Sequence, residues 1–385
     1  MHSRVKDPKM NLKIFLAREF RLVRNVIVLA AGGSGGHIFP AQALAENLLK
    51  RGWDVILITD VRGVAYTSDF PKKVEKFVLK ISNPSAGGIY SSCISLLYLS
   101  FSIFSVARYI RRIRATMVIG FGGYPTAPSM VAAQLLRIPS VIHEQNSVLG
   151  RVNNIFKNRV KFVAFGLKPY TLKSSKEKAL ITGNPVRKII SDTKVIKYSS
   201  VCKGKDKFNI LVLGGSQGAS FVSHLVSNAL IDLPKELREQ LLVINQCRKE
   251  DIVEVKNRYR LASVEALTKP FFENISDRLN NANLVISRSG ASTLAEICIF
   301  GRPSILIPLR SAVGNHQLYN ARVMEAGGAS IVLDESELEL KKLKDSISQL
   351  MNDRQKLNKM ANSALKLGKP NAAENIADEI EKLRF

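Results

Sequence analysis

Two stretches of this sequence follow one plan, and that repetition constrains the fold more than any other feature. Asn25-Val-Ile-Val-Leu-Ala-Ala-Gly-Gly-Ser-Gly-Gly-His37 and Asn209-Ile-Leu-Val-Leu-Gly-Gly-Ser-Gln-Gly-Ala219 each pass from an apolar block through a glycine loop into an apolar-periodic stretch. Such a segment reads as buried strand, tight loop, helix. The two lie 184 residues apart in a chain of 385. They divide it nearly in half, and a chain of this length ordinarily forms two domains of roughly 150 to 200 residues. The expected fold class is α/β, with two Rossmann-like, doubly wound domains that each open on a phosphate-type loop.

Further buried strands are predicted at Asp54 to Thr59, Met117 to Ile119, Ser140 to His143, Leu241 to Asn245, Leu284 to Ser287 and Ser304 to Ile307, with helical patterns between most of them. That alternation implies parallel sheets. A boundary is expected near Gly183-Asn184-Pro185, with the polar, lysine-rich stretch Ser191 to Lys207 as linker. The expected division is a basic extension over 1–24, a first domain over 25–187, a second over 188–367, and a C-terminal helix within 368–385 packed on one domain, the first being the candidate. The extension carries seven Lys/Arg, and its apolar patch Ile14-Phe15-Leu16 is too short for a signal-peptide core. Cys93, Cys202, Cys247 and Cys298 stand at least 45 residues apart, without metal-ligand spacing, and read as reduced thiols of a cytosolic protein.

The chain carries 57 Lys and Arg against 32 Asp and Glu, a net charge of +25, which implies an anionic partner, either nucleic acid or an acidic membrane surface. The distribution of charge decides between them. From Lys76 to His143 there is no Asp or Glu, while Lys76, Lys80, Arg108, Arg111, Arg112, Arg114 and Arg137 fall inside the stretch. Within it Leu96, Leu97, Ile103, Phe104, Ala107 and Ile110 keep helical spacing, and arginines close the helix. An apolar helix with a basic end suits an anionic bilayer surface. A core helix with a solvated basic end has the same spacing, and the missing acids favour the membrane. The apolar run Cys93 to Ala107 is 15 residues with four serines, short of the roughly 20 that span a bilayer. Aromatics are not interleaved with the basic residues as a base-stacking platform requires, so no nucleic-acid partner is expected.

Ser34-Gly35-Gly36-His37 follows a strand and opens a helix, where backbone N–H groups and the positive helix end can approach a phosphate unobstructed. A dinucleotide fingerprint would need glycine in place of Ile38, although Asp60 ends the next strand where a ribose-binding acid belongs. A dehydrogenase is weakened by this. Arg288-Ser289-Gly290-Ala291-Ser292-Thr293 again joins a strand to a helix, and Glu296, about one turn in, can reach a ribose diol; an ordinary helix-surface acid is the alternative. His143-Glu144-Gln145-Asn146 sets four polar side chains at a strand's carboxyl edge, which packing does not explain. His37 stands where a near-neutral pKa would serve proton transfer, and helix N-terminal hydrogen bonding fits its position equally well.

In order, Gly32-Gly-Ser-Gly-Gly-His-Ile-Phe-Pro40, Gly120-Phe-Gly-Gly-Tyr-Pro125, His143-Glu-Gln-Asn146, Gly183-Asn-Pro-Val-Arg187, Gly214-Gly-Ser-Gln-Gly218 and Arg288-Ser-Gly290 with Glu296 and Gln317 closely resemble the bacterial N-acetylglucosaminyltransferases that convert lipid I to lipid II in peptidoglycan synthesis. The resemblance runs from about Val26 to Ala329 and leaves the first 24 residues unexplained. It implies a GT-B fold, two domains facing across a cleft. UDP-N-acetylglucosamine would be held mainly by the second, and undecaprenyl-diphosphate-linked muramyl pentapeptide by the first, membrane-associating domain.

The resemblance places donor contacts on Ser34, Gly35, Gly36, Asn146, Arg187, Ser216, Phe272, Gln317 and the run Ala291, Ser292, Thr293, Leu294, Ala295 and Glu296. Ser34 stands where threonine is common, and Phe272 where an aliphatic residue is frequent. The implied chemistry is inverting displacement by the C4 hydroxyl of the muramyl sugar, with His37 as base and Glu144 in reserve. Backbone N–H groups and the helix dipole at Ser289 to Thr293, assisted by Ser216, would meet the charge on departing UDP. The resemblance implies no metal and no other cofactor, and in support of the first no Asp-x-Asp pair occurs. A peripheral position on the cytoplasmic face of the inner membrane follows, with cell-wall synthesis proteins as further partners. Alternatives on the same fold are a UDP-sugar epimerase and a glycerolipid glycosyltransferase.

Overall fold

The structure is a computed structural model and describes residues 25–80, 89–170, 178–198, 207–214, 220–336 and 338–383. The basic extension and Ser216 lie outside these residues. Two parallel sheets organise the chain. The first runs β3-β2-β1-β4-β5-β6-β7, from β1 (Val26–Ala31), β2 (Asp54–Asp60), β3 (Glu75–Leu79), β4 (Met117–Gly122), β5 (Ser140–Glu144), β6 (Val163–Phe165) and β7 (Ala179–Ile181). The second runs β10-β9-β8-β11-β12-β13, from β8 (Phe208–Leu213), β9 (Leu241–Gln246), β10 (Glu265–Lys269), β11 (Leu284–Ser287), β12 (Ser304–Leu306) and β13 (Ser330–Val332). Among the helices are α1 (Gly35–Lys50), α2 (Ile89–Arg112), α3 (Ala291–Phe300), α4 (His316–Ala326) and α5 (Ala372–Glu381).

The apolar blocks form central strands because both of their faces are covered. Along β1, Ile27, Leu29 and Ala31 enter one core cluster while Val26 and Val28 enter the other. Along β8, Ile210 and Val212 divide from Leu211 and Leu213 in the same way. Strand side chains alternate with period two, so a strand covered on both faces must be apolar throughout. The strands without a prior signal, β3, β6, β7, β10 and β13, are edge strands except for β6, and three of them are only three residues long. An edge strand such as Glu265–Lys269 is only partly buried and needs no apolar run.

The chain passes between the domains twice, and the two crossings touch. A Cβ on Gly183, whose φ is +91°, would lie 2.3 Å from Cβ of Lys369, so only glycine fits there. The stretch expected as a linker is docked as far as Tyr198. Ile190 and Tyr198 are buried in the second domain's cores, and Arg302 donates to the Ile196 carbonyl at 2.7 Å. After the second crossing, α5 returns to the first domain and buries Ile376, Ala377 and Ile380 beside β1 and α1. Each isoleucine is worth about 1.5–3 kcal/mol of burial. The exposed pairs of Arg51 with Asp378 (2.6 Å) and Glu381 (3.1 Å) add at most about 1 kcal/mol, so apolar packing dominates the attachment.

Helix α2 divides its faces differently from the sequence expectation. Ile110, placed there on the exposed apolar side, is fully buried with Val106, while Leu97, Tyr98, Phe101 and Phe104 are the exposed residues, Phe101 by 71% and Phe104 by 70%. Arg108, Arg111, Arg112 and Arg114 beside them are exposed. Leu96 is among the residues whose side chains are not described. Among the described residues, no helix is long and apolar enough to cross a membrane.

Candidate active site

The strand order reverses beside β1 and β8, and at such switch points a crevice opens at the carboxyl ends of the strands. Here the two crevices face each other and form a cleft of about 1380 Å³. The first domain lines it with Ser34 before α1, Gly36 and His37 on its first turn, Gly122 and Gly123 at the end of β4, and Glu144, Gln145 and Asn146 at the end of β5. The second lines it with Ala291, Ser292, Thr293 and Glu296 on the opening turns of α3, and with Gln317 and Phe272. Arg187, at the first crossing, also faces it.

Helical periodicity separates the remaining candidates. Leu294 is fully buried in the core and Ala295 packs against it, on the side of α3 away from the cleft. Gly35 is buried in the turn itself; a Cβ there would meet the Phe39 ring at 2.8 Å. Phe272 is 5% exposed and belongs to the core, whereas its neighbour Phe271, not singled out from sequence, is 61% exposed on the cleft. Asp60 does not line the cleft. Its Oδ1 accepts from Gly33 N at 2.9 Å and Gly63 N at 2.8 Å, so it shapes the glycine loop.

Glu144 is equally engaged. It is 1% exposed, and its two oxygens accept from Asn146 N and Nδ2, Gly150 N and Asn153 Nδ2 at 2.8–3.1 Å. His37 is half-buried and contacts the Gln145 amide through Nδ1 at 3.1 Å. Burial lowers its pKa, while Glu144 and hydrogen bonds to Gln145 and the Phe121 carbonyl draw it partly back. Glu296 meets Arg187 at 3.3 Å. Burial raises its pKa even against that guanidinium, which also lies 5.2 Å over the Phe39 ring of the first domain. Arg187 thus bridges the domains.

A second bridge gave no sequence signal. Asn320 on α4 is fully buried. Its Oδ1 accepts from Ser147 N (2.9 Å) and Ser147 Oγ (3.1 Å), and its Nδ2 donates to Asn146 Oδ1 (3.0 Å) and the Ser289 carbonyl (3.1 Å). Its side-chain hydrogen-bonding capacity is fully spent, with three bonds crossing to the first domain and one made to Ser289 of its own. An asparagine one turn beyond Gln317 reads as ordinary helix polarity until the other domain is in place.

Two facing Rossmann-like domains with a glycine loop from one and a helix N-terminus from the other on one cleft define a GT-B fold. The profile of the glycosyltransferase family 28 N-terminal domain matches residues 27–165, and that of the family 28 C-terminal domain matches residues 209–378. A UDP-N-acetylglucosamine–N-acetylmuramyl-(pentapeptide) pyrophosphoryl-undecaprenol N-acetylglucosamine transferase of Brucella anthropi is 41% identical over 366 residues, covering 94% of this chain and 96% of its own. One of the same name from Caulobacter vibrioides is 41% identical over 361 residues, covering 92% and 98%. The crystal structure of Acinetobacter baumannii MurG superposes with a TM-score of 0.78 at 30% identity, covering 93% of this chain and 99% of that one. The chain belongs to glycosyltransferase family 28.

Proposed function

We propose that this enzyme transfers N-acetylglucosamine from UDP-N-acetylglucosamine to the C4 hydroxyl of lipid I, with inversion at the anomeric carbon, giving lipid II for peptidoglycan. The observation that carries the mechanism is the convergence of His37 from one domain and the start of α3 from the other on one cleft. In this reading residues 25–187 hold the acceptor and residues 188–367 the donor. His37 removes the C4 hydroxyl proton as the oxygen attacks the anomeric carbon, and the bond to the UDP oxygen breaks. Glu144, with four hydrogen bonds already accepted, holds the loop instead of taking the proton. Charge on departing UDP is met by the N–H groups and positive end of α3.

Glu296 takes the ribose diol, and Asn146, Arg187 and Gln317 orient the donor. Two atoms at the site support a polar ligand: Ser292 Oγ and Arg187 Nε are buried without a hydrogen-bond partner, at a cost of about 1–3 kcal/mol each. The exposed apolar face of α2, flanked by Arg108 and Arg111, docks the enzyme peripherally on the anionic cytoplasmic leaflet where lipid I resides. Turnover of radiolabelled UDP-N-acetylglucosamine with a lipid I analogue tests the reading. The wild type transfers label, and His37→Ala and Glu296→Ala lose it. UDP-sugar binding without transfer to that acceptor would refute the reaction.

A further inference from the structure

We propose that Gln145 is a positioning residue for catalysis, holding His37 with its hydrogen on Nδ1 and Nε2 bare, through a buried side-chain relay anchored at the interdomain crossing. The inference rests on the reading of His37 as base.

The relay has one consistent assignment. Gln145 is 2% exposed. Its Nε2 lies 2.9 Å from the Phe121 carbonyl, which only accepts, so the amide cannot be turned around. Oε1 is therefore the atom 3.1 Å from His37 Nδ1. An amide oxygen also only accepts, so Nδ1 carries the hydrogen and the neutral ring keeps its lone pair on Nε2. Nε2 of Gln145 also lies 3.2 Å from His143 Nδ1, which accepts there if His143 carries its own hydrogen on Nε2. That nitrogen is 3.3 Å from the Gly183 carbonyl, the acceptor the assignment requires.

Two features keep the relay intact. His143 is fully buried, and burial pushes its pKa down to about 4, so it stays neutral near pH 7. Glycine at 122 admits the His37 ring, since a Cβ there would lie 2.8 Å from Cε1 and 3.0 Å from Nδ1. Glutamate could not replace Gln145, because a carboxylate has no donor for Phe121 or His143. The relay ends on the residue where the two interdomain crossings meet, so the base takes its orientation from the junction that also sets the domain arrangement.

The test is the nitrogen-15 spectrum of histidine-labelled full-length protein, with the His37 signals identified by their loss in His37→Asn, alongside kcat and KM for Gln145→Met. The wild type should show a protonated Nδ1 and a bare Nε2. In Gln145→Met, which fills similar volume without polar atoms and leaves the Phe121 carbonyl as the ring's other acceptor, the share of hydrogen on Nδ1 should fall. Its kcat should fall about tenfold or more, with donor KM within about twofold. If Gln145→Met fails to fold, Gln145→Asn, which draws the amide back by one methylene, carries the same test. A wild-type ring protonated on Nε2, or a variant spectrum unchanged from wild type, overturns the proposal. A shifted tautomer with unchanged kcat would leave the relay standing and remove His37 as base.

Discussion

At His37 burial favours the neutral ring, while Glu144 and the hydrogen bonds to Gln145 and Phe121 favour the charged one. Burial prevails and the pKa falls below 6.5. A base works when unprotonated, so kcat/KM should hold its plateau at neutral pH and fall only as pH drops through a value below 6.5. An acid limb at or above 6.5 in the kcat/KM profile would count against His37. His143 gives a stability prediction of related origin. Its pKa is about 4 in the folded protein against 6.5 for an unperturbed histidine, so between these pH values the unfolded chain binds a proton that the folded one refuses. Stability is complete above pH 6.5 and should decline by up to about 3 kcal/mol on acidification toward 4. Urea unfolding at pH 7 and pH 5 measures the slope, which should flatten in His143→Asn.

Among the elements, α2 shows how one helix serves two purposes. Val106, Tyr109 and Ile110 attach it to the first domain, with Tyr109 donating to Glu75 at 2.6 Å, and this leaves Phe101 and Phe104 exposed without loss of anchorage. Replacing both by Asp should leave unfolding free energy within about 0.5 kcal/mol of wild type. The same change should sharply reduce sedimentation with vesicles containing anionic lipid. Wild-type binding should weaken with added salt but retain an apolar part. Equal sedimentation of variant and wild type would place the membrane contact elsewhere. The two helical faces share one periodicity, so spacing alone could not say which residues were buried; contact with β3 assigned Tyr109 to the inside.

In the whole molecule, Asn320 and Arg187 each bridge the two domains. Asn320→Leu would strand the Ser147 N–H and the Ser289 carbonyl, each costing about 1–3 kcal/mol if left unpaired. It would also free Asn146, a proposed donor contact. We expect a lower melting temperature and a raised donor KM with a smaller change in kcat; an unchanged KM would show that the brace does not position Asn146. Arg187 and Glu296 meet at 3.3 Å on the cleft the donor would enter, so donor binding should alter the domain arrangement. Solution scattering with and without the UDP-sugar measures this, and identical profiles would refute it.

Much of the fold was legible in the residues. Both sheets and their central strands follow from apolar blocks that serve two buried faces, and the glycine loop before α1 follows from the need of backbone to approach closely. The cleft-facing identities of Ser34, His37, Asn146 and Glu296 were accessible too, since polar residues at strand ends have no packing role. The sequence by itself determined the parallel α/β halves and the chemistry offered at their edges, because local periodicity records how much of each face is buried. Only the tertiary structure decided which atoms meet. It docked the chain as far as Tyr198 against the second domain, turned Leu294 and Ala295 inward, committed Glu144 and Asp60 to backbone N–H groups, and brought Asn320 to Asn146 across 174 residues. These are contacts between segments remote in the chain, and a residue's type limits its possible partners without naming the one that folding brings to it.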